Sequence, residues 1–133
     1  MPHASGGFEV RITPQPKDEY ADGATLSRMT IDKQFRGDLT GISRGQMLAA
    51  GTPVKGSAGY VAIEAVTGTL AGRAGTFILQ HSGTMDRGRP TLTLTVVPDS
   101  GSGELTGLTG SMQIDIAAGK HSYRFDYELS GSP

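Results

Sequence analysis

Apolar and polar residues alternate with a period of two along most of the chain. Phe8, Val10 and Ile12 interleave with Glu9, Arg11 and Thr13, the pattern of a half-buried strand, and Pro14 and Pro16 end it. Lys17 to Gly23 reads as a polar connection. From Thr25 to Phe35, Met29, Ile31 and Phe35 share one parity while Arg28, Thr30, Asp32 and Gln34 hold the other, which predicts a second strand with one wet face. Gly37 and Gly41 allow a sharp turn before a third strand over Ile42 to Ala50. Met47, Leu48 and Ala49 make a short helical turn over Gly45 to Ala50 the alternative there. Gly51 to Gly59 is a loop.

Tyr60 to Val97 reads as two hairpins. With Gly72-Arg73 as the first turn, Glu64 falls directly opposite His81, so a carboxylate and an imidazole share one face. A second turn at Arg87-Gly88 sets His81 opposite Leu94 and Leu79 opposite Val96. The face carrying Glu64 and His81 therefore also carries Val66, Phe77, Leu79, Leu94 and Val96. Pro98 to Gly103 is a loop, and Glu104 to Ile116 is a seventh strand. A shift of apolar parity between Leu105 and Leu108 predicts a bulge near Thr106-Gly107. Ala118-Gly119 turns the chain into a last strand, His121 to Leu129, with Ile116 facing His121, Ile114 facing Tyr123 and Met112 facing Phe125. The tail Ser130 to Pro133 is expected to fray.

A succession of about eight strands joined mainly by short turns, without a convincing helix, predicts an all-β up-and-down antiparallel sheet. Closing that sheet removes its exposed edges, so a closed eight-stranded barrel over residues 1–133 is the first expectation and a β-sandwich the second. In the fourth strand both parities are apolar, with Val61, Ile63 and Ala65 opposite the Glu64 face and Ile78 beside them. An outer face of that kind predicts cover by another subunit, hence a homo-oligomer.

Composition narrows the function classes. A chain of 133 residues is one domain by length and buries enough surface to fold without a disulfide or metal. The lack of cysteine excludes a disulfide framework, a Cys-ligated zinc site and a thiol nucleophile. Twelve basic residues against thirteen acidic ones, with no basic run, leave no footprint for nucleic acid. With neither a signal-peptide pattern at Met1 to Val10 nor a long apolar run, the expectation is a soluble, cytoplasmic protein with no membrane partner. His3, His81 and His121 are far apart and show no metal-binding spacing, so neither a metal nor a cofactor is expected.

The ordered set GTFILQHSGTMDRG, TLTLTVVP, SGELTGLTG and GKHSYRFDYEL resembles an uncharacterised bacterial family, domain-of-unknown-function family 3224, from about Phe35 onward. The resemblance implies a small antiparallel barrel similar in shape to plant allene oxide cyclase, which closes a ring on a fatty-acid epoxide in an apolar cavity. It transfers no catalytic residue to this chain.

Chemistry therefore rests on Glu64 and His81. Cβ atoms of directly opposed strand residues lie roughly 4.5–5.5 Å apart, close enough for a hydrogen bond. The pair could move a proton in an isomerisation or cyclisation, with Tyr60 as a donor on the same face. It could equally anchor a ligand, or be two buried groups that satisfy each other. Arg44 would join them if the Gly51–Gly59 loop set an even register, and His121 reads as a core or rim histidine. The first expectation is a barrel binding an apolar or amphipathic small molecule through Tyr60, Glu64, Phe77, His81 and Leu94. The alternatives are a cyclase or isomerase with Glu64 and His81 as catalytic groups, and a structural module with a filled interior.

Overall fold

The computed structural model describes residues 2–16 and 25–129, and the expectations for Lys17 to Gly23 and for the tail Ser130 to Pro133 lie outside them. The described chain forms β1 (His3–Pro14), β2 (Thr25–Phe35), β3 (Leu39–Gly51), β4 (Ala58–Leu70) and β5 (Arg73–Asp86). It continues through β6 (Arg89–Val96), the two-residue β7 (Ser102–Gly103), β8 (Leu108–Ala117) and β9 (Lys120–Leu129). Every pairing is antiparallel. The order β4-β3-β2-β1-β9-β8-β6-β5 closes through β4–β5 into an eight-stranded barrel, and β7 adds a short extra pairing to β5 at Gly75 and Thr76.

Turn chemistry sets the register. Ala71, Arg87 and Ala118 have φ near +50° and each is followed by a glycine with positive φ, Gly72, Gly88 and Gly119. Positive φ at both central residues matches the two-residue hairpin turn whose twist suits antiparallel strands. The second and third turns stand where the sequence puts them, with His81 opposite Leu94 and Met112 opposite Phe125. The first turn is Ala71-Gly72 rather than Gly72-Arg73, so Glu64 pairs with Leu79 and His81 with Ala62. This corrects the pairing by two residues and leaves every side chain on its expected face.

The strand expected over Ile42 to Ala50 stands and its helical alternative falls, while two other expectations change. Gly45 to Ala50 is strand throughout, because Met47 and Ala49 face inward while Leu48 faces out, paired with Arg28 and Val61. β1 begins at His3, five residues before the alternation does, since His3 to Phe8 is held by pairing with Asp126 to His121 of β9. No bulge shifts the parity near Thr106. Glu104 to Gly107 is instead a turn whose Leu105 is fully buried in that end of the barrel, and β8 starts only at Leu108.

The inward residues divide the interior along its axis. Toward one end Phe35, Leu39, Val66, Leu70, Phe77, Leu79, Val96, Leu105, Leu108 and Phe125 form a packed core. The Phe77 and Phe125 rings stack at 5.9 Å, and Tyr123 meets Phe35 edge-on at 5.7 Å. The Tyr123 hydroxyl accepts from Leu39 N at 2.8 Å and lies 2.8 Å from the Arg36 carbonyl oxygen, tying the β2–β3 turn to β9. Toward the other end the inward side chains, Ile12, Met85, Leu92 and Ile116 among them, are exposed and line a hollow. One wall is less complete: β6 and β8 pair only at Thr95 and Ser111.

Candidate functional site

A layer of polar groups separates the packed half from the hollow one. Lys33 sits on the inward parity of β2 between Ile31 and Phe35, and across the strands Ser43 pairs with it. Glu64, fully buried, comes from β4, and His81, also buried, from β5. Glu64 Oε1 lies 2.9 Å from Lys33 Nζ and 2.6 Å from His81 Nε2, while Oε2 lies 2.5 Å from Ser43 Oγ. Tyr60 Oη is 3.2 Å from His81 Nδ1. Lys33 Nζ also stands over the Phe8 ring, 4.9 Å from its centroid. An ammonium facing a π-system is an attraction of about 1–2 kcal/mol when water is excluded.

Burial pushes the Glu64 carboxyl up, but the His81 hydrogen bond, the Lys33 charge and the Ser43 hydroxyl together outweigh it and lower the pKa to about 2. Glu64 is thus a carboxylate, able only to accept. Lys33 and Ser43 donate to it, and His81 must carry a proton on Nε2 to do the same. In the neutral imidazole Nδ1 is then a bare acceptor, filled by the Tyr60 hydroxyl. Burial, and behind it the Glu64 charge, raise the Tyr60 phenol above its usual value, so it remains protonated.

The hydrogen-bonded line Tyr60, His81, Glu64 leads from the hollow half into the core. Its upper end opens on a cavity of about 570 Å³ lined by Phe8, Val10, Ile31, Met47, Leu92, Ile114 and Ile116, with Lys33, Tyr60 and His81 among its polar groups and His121 on its wall. This is a usual volume for a small-molecule site, and the mix of apolar walls with a few converging polar groups is the usual lining. Among the described residues no carboxylate lines it, and no group of three or more His, Asp or Glu could hold a metal ion.

Of the residues singled out in the sequence, Tyr60 and His81 reach the cavity. Glu64 lies beneath and touches His81. Phe77 and Leu94 are packed under that layer and do not line the hollow. Arg44 is excluded: β3 and β4 pair in an odd register, Arg44 opposite Ala65, which turns it outward to Asp32 at 3.7 Å. Lys33 and Ser43 went unread. Lys33 had a signal, a lone charge on the apolar parity of its strand. Ser43 had none, because β3 carries Ile42 and Leu48 on its outer face and its inward parity is mostly small.

Comparison with known proteins agrees with this architecture. The family model described as "Protein of unknown function (DUF3224)" matches residues 4–127. A crystal structure of a protein of unknown function from that family, from Shewanella oneidensis MR-1, is similar over 99% of both chains, with 50% identity and a TM-score of 0.94. No curated protein matches the chain. A sequence match across nearly the whole barrel and a solved barrel of the same shape lead to one conclusion: the chain belongs to the DUF3224 family.

Proposed function

We propose that the protein binds an apolar or amphipathic small molecule in the hollow half of the barrel, with Tyr60 and His81 as its polar anchors. The carrying observation is the pairing of an apolar cavity with hydrogen-bonding groups at its base, above a core of buried apolar side chains. Glu64 acts through His81 by holding its tautomer, and Phe77 and Leu94 support the floor from below. Native mass spectrometry of protein purified gently from its own host tests the reading. A reproducible extra mass, lost when Ala49→Trp fills the cavity, is the expected result. Protein that carries no extra mass and takes up no apolar fluorescent probe would overturn it.

A second reading, an isomerase or cyclase, is favoured by one observation: the Tyr60–His81–Glu64 line can pass a proton to and from the cavity. In that case His81 is the group that takes the proton, since Glu64 is held as a carboxylate. Turnover of the recovered molecule that survives both Tyr60→Phe and His81→Phe would sink this alternative. We further infer a cytoplasmic homo-oligomer, supported by the absence of cysteine and by Val61 and Ile63, which are 51% and 49% exposed on the outer wall.

A further inference from the structure

We propose that the ligand carries a single oxyanion, a carboxylate or its equivalent, on an apolar body, and that binding it draws one proton onto His81. The inference rests on the cavity reading above and adds the chemistry of the head group.

The floor offers donors and withholds acceptors. Lys33 has three N–H bonds and spends one on Glu64 Oε1, and among the described residues no other acceptor hydrogen-bonds to it. Its remaining N–H bonds meet only the faces of Phe8 and Phe35, 4.9 and 5.8 Å from Nζ, and an oxyanion at the floor gives them the oxygen acceptor they lack. A cation would find nothing comparable. Glu64 is fully buried with both oxygens occupied, and no other carboxylate of the described chain faces the cavity.

Charge balance then involves His81. Lys33 and Glu64 cancel, so an anion added beside a neutral imidazole would leave a net negative charge in a dry site. The groups facing His81 are Lys33 from β2, Ser43 through Glu64 from β3, Tyr60 and Glu64 from β4, apolar Leu94 from β6, and His121 on the same cavity wall from β9. A proton from solvent can occupy Nδ1 without disturbing Nε2, which already donates to Glu64. Nδ1–H then donates to Tyr60 Oη, and the Tyr60 hydroxyl is released to donate to the oxyanion. The same uptake of charge therefore neutralises the ligand and turns Tyr60 from a spent donor into an available one.

Isothermal titration of the full chain with decanoate, decanol and decylamine tests this. Runs between pH 5.5 and 8.5, in buffers of differing ionisation enthalpy, count the protons taken up. The expected result is that decanoate binds at least tenfold more tightly than decanol and that decylamine does not bind. Binding should take up protons, so that Kd for decanoate rises with pH. His81→Phe should abolish the uptake. Tyr60→Phe, which keeps the ring, should weaken decanoate several-fold and leave decanol unchanged, and it serves if His81→Phe does not fold. Decanol binding as well as decanoate, decylamine preferred, or decanoate bound without proton uptake would each overturn the inference and leave the cavity reading intact. Failure of all three to bind would overturn both.

Discussion

His81 pairs across β4 and β5 with Ala62, not with Glu64, and so it stands between Tyr60 on one side and Glu64 on the other. Direct opposition would have joined the imidazole to the carboxylate and left Tyr60 out of reach. The diagonal placement uses both ring nitrogens, one for a buried charge and one for a group at the cavity. The small side chain at position 62 faces the imidazole between the two.

The buried ions depend on each other. Glu64→Gln leaves Lys33, whose side chain is only 5% exposed, without a counter-charge, and is expected to cost about 3–5 kcal/mol in urea denaturation. The double variant Lys33→Met, Glu64→Gln should recover much of that loss. If Glu64→Gln alone costs less than about 1 kcal/mol, the pair is not what holds the floor together.

Acid should remove the Glu64 contribution. Its pKa is about 2 in the folded protein against an ordinary 4.5, so the carboxylate stabilises the fold above about pH 4.5 and that stability is lost as pH falls toward 2. The change is about 3 kcal/mol. Asp126 is also lowered, mainly by its His3 hydrogen bond, so the measurement is the difference between wild type and Glu64→Gln at pH 5 and at pH 2.5. That difference should shrink in acid.

Gly83 makes room for Tyr60. A Cβ at position 83 would stand 2.4 Å from Tyr60 Cε1, so Gly83→Ala must displace the ring. The expected cost is about 1–3 kcal/mol in thermal unfolding. Tyr60 should also titrate earlier in the variant, because the burial that raises its phenol is reduced. Ultraviolet titration with Tyr60→Phe as reference reads this directly.

The β6–β8 seam should open first. With only Thr95 and Ser111 paired across it, amides of β6 and β8 that face each other are expected to exchange faster than those facing β5 and β9. Hydrogen exchange followed by mass spectrometry checks this. Equal protection on the two sides would mean the seam is closed in solution.

The outer wall of β4 carries the assembly expectation. Ile63→Glu, at a position already half exposed, should leave the monomer fold intact and lower the mass seen by analytical ultracentrifugation. A wild-type protein that sediments as a monomer would remove the reason for those apolar positions.

How far the sequence could be read follows from what sets each feature. Alternation assigns strands and faces, so the barrel and the shared inward face of Glu64, His81 and Tyr60 were legible. Pairing depends on turn geometry, and Ala71-Gly72 and Gly72-Arg73 both offer a glycine; only the left-handed backbone at Ala71 distinguishes them. β1 from His3 to Ser5 has little apolar alternation, because its place is determined by β9 rather than by its own pattern. The floor itself depends on register across β2, β3 and β4. The length of the 52–57 connection leaves that register open in sequence, and with it the exclusion of Arg44 and the inclusion of Ser43.

The division of the barrel along its axis bears on how such a protein can change. A substitution at Ile116, which is 63% exposed, alters the cavity wall at small folding cost, whereas the same change at Phe77 would strike the packed core. Mutational tolerance and the proposed ligand contacts are thus concentrated at the same end. Selection could retailor the mouth for a new small molecule while the other half goes on specifying the fold.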